Sequence, residues 1–327
     1  MRPFAYHRPE TVAAAVAQAG GADVMYLAGG TNLVDLMRLG VLTPATLVDV
    51  TRVTSATIEQ TPGGGLLVGA GVRNSDLTAH PLVRSRYPLL AEALLAGASG
   101  QLRNMATVGG NLLQRTRCSY FQDVTKPCNK RDPGSGCPAR TGDHRNLAII
   151  EHSEHCVATH PSDMAVALVA LGALVHVEGA AGARQVPMPG LHRLPGDDPS
   201  RDTVLVPGEL ITAVELPALP LAARSLYRKA RDRASFSFAA VSVAAALQVE
   251  QGVVRDCRIA LGSVAHVPWR AGRAEDALRG APATEQEFAR AADIELEQAR
   301  PLPLNGYKVP LARNLIVRAL ADLAAVR

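Results

Sequence analysis

Residues 22–40, ADVMYLAGGTNLVDLMRLG, read as a buried strand over 24–27, a Gly-Gly turn, and a helix over 31–38. An uninterrupted apolar run enters the turn and periodically spaced apolar residues leave it, which is how a strand hands over to a packed helix. A second glycine-centred stretch, ATVGGNLL at 106–113, lies in a strand-like run, MATVGGNLLQ. In both, paired glycines let the backbone come close to a neighbour or a ligand, and successive N–H groups in such a turn form a nest for an anion. Thr31, Asn32, Thr107 and Asn111 add side-chain donors. Two readings stay open: two ordinary tight turns, or two loops that clamp one pyrophosphate. Neither stretch is a G-x-G-x-x-G fingerprint, and GAGVRN at Gly69 begins that way but lacks the third glycine.

Outward from these loops, 9–19 reads as a helix that opens on Pro9 and ends on glycines. ATLVDV (45–50) and GGGLLVGAGV (63–72) read as strands and 88–99 as a helix. HPSDMAVALVALGALVHVEG (160–179) reads as a proline-started helix followed by a strand. A Pro- and Asp-rich loop (187–207) precedes the strand LITAVEL (210–216). PALPLAAR (217–224) reads as a linker. Beyond it come three long strands at 225–234, 239–252 and 253–265, with a hairpin turn at Glu250-Gln251-Gly252. Helices follow at 269–278, 284–299 and 310–326. The chain is therefore an α+β protein: a mixed N-terminal domain over 1–218, then a three-stranded antiparallel sheet with helices over 222–327.

Bulk properties narrow the function. Of 327 residues, 47% are hydrophobic and 20% charged, enough for packed cores and too apolar for bulk disorder. The net charge is only +4, from scattered basic residues, so no nucleic-acid partner is expected. Residues 1–20 carry no apolar core or small-residue cleavage site, so no signal peptide of the chain's own is expected. No stretch reaches the roughly 18 unbroken apolar residues of a membrane span.

Residues 114–156 break the pattern, being rich in Arg, Lys, Cys, Pro, Gly and His with almost no periodicity; long loops of this kind tend to be functional. Four of the five cysteines, Cys118, Cys128, Cys137 and Cys156, fall here with spacing C-x9-C-x8-C-x18-C. An odd total without an export signal argues against disulfides. The close C-x2–4-C pairs of zinc sites are missing, whereas an iron–sulfur cluster tolerates wide spacing. Arg115, Arg117, Lys126, Lys130 and Arg131 offer positive surroundings for thiolates. With so little apolar sequence, the loop is expected to owe its order to a bound metal group. His144, His152, His155 and His160 read as surface or supporting groups, any of which could replace a cysteine as ligand. Cys257 lies in an alternating strand and reads as core. Asp163 is either a first-turn acid favoured by the helix dipole or a ribose or adenine partner. Arg228 and Lys229 are either strand-edge charges or face a cofactor across the domain cleft.

AGGTNL, NMATVGGNLLQ, THPSDMAVALVAL, GELITAVELP and YRKARDRASFSFAAVSVAAAL together resemble the FAD-binding medium subunit of the xanthine dehydrogenase family, over essentially the whole chain. The loop CSYFQDVTKPCNKRDPGSGCPARTGDHRNLAIIEHSEHC is similar to the insertion in the flavin subunit of bacterial aldehyde oxidoreductases of the periplasmic type. It is less similar to that of 4-hydroxybenzoyl-CoA reductase. The resemblance implies a two-subdomain FAD domain of the vanillyl-alcohol oxidase (PCMH) type over 1–218, with a 4Fe–4S insertion at 114–157, and then a C-terminal domain like that of CO dehydrogenase flavoproteins. It implies FAD contacts from Leu27, Ala28, Gly29, Gly30, Thr31, Asn32 and Leu33, from Ala106, Thr107, Gly109, Gly110, Asn111 and Gln114, and from Asp163, Ile211 and Lys229. It implies Cys118, Cys128, Cys137 and Cys156 as ligands of one 4Fe–4S cluster, and no catalytic residue on this chain. Asn32 stands where many relatives carry Asp. The implied function is electron transfer from a small 2Fe–2S subunit through FAD to an external acceptor, with substrate oxidised on a large molybdenum-cofactor subunit. A 4-hydroxybenzoyl-CoA reductase-like or xanthine dehydrogenase flavin subunit is the alternative. The expected location is periplasmic, by co-export with a partner, or cytoplasmic. Two rivals of other classes are a self-sufficient flavin oxidase and a zinc-binding scaffold.

Overall fold

The computed structural model describes residues 1–325. Val326, the expected end of the last helix, lies outside the described residues. Three sheets carry the described residues. The first is small and parallel: β1 (Ala5–His7) and β2 (Val24–Leu27) flank β3 (Thr46–Asp49). Helices Val12–Gln18 and Leu33–Arg38 belong to this unit, and Ala15, Val16, Val48 and Val50 form its core with Leu210 of the next sheet.

The second sheet is antiparallel, in the order β4 (Ile58–Gln60), β5 (Leu66–Gly69), β8 (Leu210–Leu216), β6 (Leu174–Gly179), β7 (Gly182–Pro187). Helices Pro88–Ala96 and Asp163–Leu171 pack with it into the largest core. Helix Asp163–Leu171 starts where the Ser162 hydroxyl accepts the Ala165 N–H at 3.0 Å, and it stops at Gly172, whose φ of +65° turns the chain left-handed.

The third sheet orders β9 (Ser225–Ala230), β10 (Val241–Glu250), β11 (Val253–Gly262) and the two-residue edge β12 (Trp269–Arg270). Its three long strands are those expected. Gln251 and Gly252 make the hairpin with φ of +51° and +77°, the signature of a type I′ turn. Strand β10 is buried on both faces. Val241, Val243, Ala245 and Leu247 point into a core with helices Gly272–Leu278, Glu285–Leu296 and Lys308–Ala325, while Ala244 and Ala246 point into the core of the second sheet. Small alanines on that face let the domains close directly on one another.

Three expectations fail. Trp269 and Arg270, expected to begin a helix, instead pair with β11 and make the expected three-stranded sheet four-stranded. The run at 105–114 is not a strand: helix Gly100–Met105 ends there and Val108–Leu112 forms a short helix, with a single bridge from Thr107 to Arg73. Thr107 caps it by accepting the Gly110 N–H at 3.2 Å. Residues 114–156 are also not short of order. Cys118, Cys128, Phe121, Ala139, Leu147, Cys156 and Val157 share a buried cluster with Leu36 and Val41. The far end of the insertion is hydrogen-bonded to the C-terminal domain: Ile149 and Ile150 N–H donate to Val264 O, and Asn305 Nδ2 donates to Leu147 and Ala148 O.

Candidate functional site

The two glycine loops face one cleft, a cavity of about 490 Å³. Residues 28–33 line it after β2, and Ala106, Thr107, Gly109, Gly110, Asn111 and Gln114 line it opposite, with Asp163, Ile211 and Lys229 also on its wall. Leu27 ends β2 just behind the first loop. The loops touch. A Cβ on Gly29 would stand 2.0 Å from Met105 O, so only glycine allows this approach, and Gly30 turns the chain at φ +72°. A Cβ on Gly110 would meet only Thr107 Oγ1, at 3.0 Å, so this glycine is open to the cleft.

The polar groups divide into two sets. Asn111 Oδ1 is engaged inside the protein, accepting from Ser162 Oγ at 2.6 Å and Gln114 Nε2 at 2.9 Å. Asp163 is engaged too: Oδ2 accepts Lys229 Nζ at 2.8 Å and Oδ1 accepts the Tyr227 hydroxyl at 2.5 Å. Burial and the Asp163 charge push the Tyr227 phenol well above its ordinary range, so it stays a donor. Two residues expected at a cofactor thus meet each other as a bridge between the domains.

The second set is buried without partners: Asn32 Nδ2, Asn74 Oδ1 and Arg117 Nε, all from residues on the cleft wall. Asn32 is held by its other end, where Oδ1 accepts the Arg115 N–H at 2.8 Å. Buried polar atoms without partners are uncommon in native proteins and point to a ligand. Sequence reasoning missed Asn74, Phe236 and Phe238 on this wall; the two phenylalanines are 59% and 50% exposed, with the Arg117 guanidinium 5.2 Å from the Phe238 ring. An exposed SFSF run in a strand connection was the signal available.

Beside the cleft, Cys118, Cys128, Cys137 and Cys156 line a single narrow pocket with Phe121, Lys130 and His155. Burial raises the thiols of Cys118, Cys137 and Cys156, the last to about 12, and neighbouring cysteines add to the rise of each. Of the five basic residues expected around them, Lys130 alone lines this pocket, while Arg115 and Arg117 line the cleft. His144, His152 and His160 are engaged elsewhere. Cys257 is remote, buried in the C-terminal core with Glu275 O 3.7 Å from its Sγ. Among the described residues no three His, Cys, Asp or Glu side chains converge tightly enough to hold one metal ion. That weighs against a zinc site. It leaves a cubane open, because there each thiolate binds a different iron. No helix among the described residues is long and apolar enough to cross a membrane.

The profile of the FAD binding domain in molybdopterin dehydrogenase matches residues 2–219, and that of the CO dehydrogenase flavoprotein C-terminal domain matches 225–323. The chain is 48% identical to the aldehyde oxidoreductase FAD-binding subunit of Escherichia coli (strain K12), over 99% of both chains. It is 28% identical to the carbon monoxide dehydrogenase medium chain of Hydrogenophaga pseudoflava, over 97% of this chain and 96% of the other. A solved structure of CO dehydrogenase from Oligotropha carboxidovorans superimposes over 100% of both chains with a TM-score of 0.78 at 24% identity, a likeness of fold.

Proposed function

Because the chain belongs to the FAD-binding subunits of the molybdenum hydroxylase family, we propose that it is the FAD- and 4Fe–4S-carrying electron-transfer subunit of a heterotrimeric aldehyde oxidoreductase. Its partners would be a large molybdenum-cofactor subunit, where substrate is oxidised, and a small 2Fe–2S subunit that delivers electrons. The aldehyde assignment rests on the whole-length similarity to an aldehyde oxidoreductase subunit.

One observation carries the two-cofactor reading. Gln114, Arg115 and Arg117 line the cleft while Thr116 and Cys118 line the cysteine pocket, so a single short segment is a wall of both. Two redox groups in these sites would be close neighbours, as a relay requires. The cleft suits FAD: the glycine loops would hold the pyrophosphate, with Asn32 and Arg117 offering buried donors for a polar, anionic ligand. Bound FAD supplies a centre that exchanges electrons singly with iron–sulfur groups and in pairs with an acceptor. The protein's own task is to shape the cleft, keep the domains closed on it through Asp163 and Lys229, and exclude water. Burial of Cys118, Cys128 and Cys156 and the pocket they share with Cys137 suit a cluster held by four thiolates.

The test is absorption with iron, sulfide and zinc analysis of the purified chain. Flavin bands over a broad iron–sulfur background, with about four irons per chain, are expected for a cubane. Flavin without iron overturns the cluster, and a zinc-loaded colourless chain overturns both. The chain alone should also oxidise no aldehyde; turnover without partners would favour a self-sufficient oxidase.

A further inference from the structure

Lys130 is 2% exposed, although it lies in the polar insertion two residues beyond Cys128. Its backbone is fixed by Asn129, whose Oδ1 accepts the Gly136 N–H at 2.7 Å and whose Nδ2 donates to His155 O at 3.0 Å. Lys130 forms part of the cysteine pocket wall. Its ammonium donates to Pro199 O at 2.8 Å, to His266 Nε2 at 2.8 Å and to Asp202 Oδ1. Asp202 is shared, since Oδ2 accepts Arg115 Nε at 2.6 Å. Burial alone would raise the Asp202 carboxyl, but His266, Arg115 and Lys130 hold it well below the usual carboxylate range. Burial, with the neighbouring Lys130 charge, pushes the His266 imidazole below its ordinary range and leaves it neutral. The group of Lys130, Arg115 and Asp202 therefore carries two cations and one anion, a net single positive charge walled in beside four thiols.

We propose that Lys130, held in place by Asp202, sets the reduction potential of the cluster on Cys118, Cys128, Cys137 and Cys156, a role that rests on the cluster reading above. A cluster held by four thiolates becomes more negative when it gains an electron. A cation fixed nearby in a low-dielectric wall stabilises the reduced form more than the oxidised one and so raises the potential. The geometry gives the two residues opposite electrostatic effects. Lys130 brings the positive charge to the pocket, and Asp202 both orients it and partly cancels it. Lys130 and Asp202 are thus positioning and tuning residues, with neither bonded to iron.

The test uses the full chain loaded with flavin and cluster. Iron and sulfide are quantified first, and the cluster midpoint is then measured by potentiometric titration followed by electron paramagnetic resonance. Lys130→Met should lower the midpoint, Asp202→Asn should raise it, and Lys130→Arg should stay near wild type. A general loosening of the insertion would not produce shifts of opposite sign. Unchanged midpoints in iron-replete Lys130→Met and Asp202→Asn, or shifts in the same direction, overturn the proposal. If Lys130→Met loses its iron, Asp202→Asn decides alone, and no upward shift there overturns it. Iron-free wild-type protein would overturn the cluster reading itself, a failure visible before any titration begins.

Discussion

Asp163 Oδ2 and Lys229 Nζ lie 2.8 Å apart, with side chains only 9% and 4% exposed, where the helix that follows the insertion meets the first strand of the C-terminal domain. Lys229 also donates to Ala96 O at 3.1 Å, so its charge is shared with the end of helix Pro88–Ala96. A buried pair of this kind orients its elements strongly, because either partner left alone is an uncompensated charge. Asp163→Asn should therefore cost about 3–5 kcal/mol of stability. Asp163→Asn combined with Lys229→Met should cost less than Asp163→Asn alone. Denaturant unfolding of wild type, Asp163→Asn, Lys229→Met and the double variant checks this, and additive losses would mean the two residues act independently.

The glycine loops predict a separable effect on flavin. Gly110 meets little of the protein, since its Cβ would touch Thr107 Oγ1 alone, at a close 3.0 Å that a small shift of that side chain relieves. Gly110→Val should leave folding nearly unchanged, within about 1 kcal/mol, because Val is a somewhat better helix former than Gly at this exposed position. It should nonetheless strip flavin, because the side chain would fill the space a pyrophosphate needs. Gly29→Ala should instead damage both, since its Cβ would stand 2.0 Å from Met105 O. Flavin-to-protein absorbance ratios beside melting curves distinguish the two. Full flavin occupancy in Gly110→Val would remove that loop from the cofactor.

These residues also show what the sequence made legible. Strand, turn and helix at 22–40 were readable because each is a local pattern, as were the helix and strand within 160–179 and the Gln251-Gly252 hairpin. The short helix Val108–Leu112 was not, because Val and paired glycines disfavour helix on propensity alone and only the Thr107 cap and tertiary contacts overrule them. Strands β1 and β7 are almost wholly exposed and carry no alternation to read. The order within the insertion was hidden for a different reason. Its core is assembled from single apolar residues, Phe121, Ala139, Leu147 and Val157, scattered through polar sequence and completed by Leu36 and Val41 from another element. The bond of Asp163 to Lys229 is likewise invisible before the domains are brought together.

The five cysteines predict a sharp contrast. Serine at Cys118, Cys128, Cys137 or Cys156 should lower iron and sulfide content, and serine at Cys257 should leave both unchanged. Because the insertion has its own apolar core and hydrogen bonds, loss of a ligand should soften this region without unfolding it, and flavin should persist. Cys257→Ser should lower stability by about 1–3 kcal/mol, because it places a hydroxyl in an apolar core. Iron lost from Cys257→Ser, or retained in all of the other four, would refute the ligand set.

Lys308 predicts a dependence on pH. Its ammonium is fully buried and donates to three carbonyls, Asn146 O at 3.1 Å, Leu147 O at 2.9 Å and Ser263 O at 2.5 Å, so it pins the last helix to the insertion. Burial lowers its pKa from 10.5 to about 7. Below pH 7 the folded and unfolded chains are both protonated at this residue, and the desolvation cost is fully present. As pH rises from 7 towards 10.5 the folded chain releases the proton first. The unfolded chain then binds more protons, and the contribution of Lys308 to stability grows with pH, by at most about 1.4 kcal/mol per unit. Lys308→Met cannot titrate and should lack this rise. Denaturant unfolding of both proteins at pH 6.5 and pH 9 is the check, with wild type expected to gain on the variant by about 2–3 kcal/mol at the higher pH. Parallel pH profiles would show that the three carbonyls keep the ammonium charged throughout and that burial is outweighed by those hydrogen bonds.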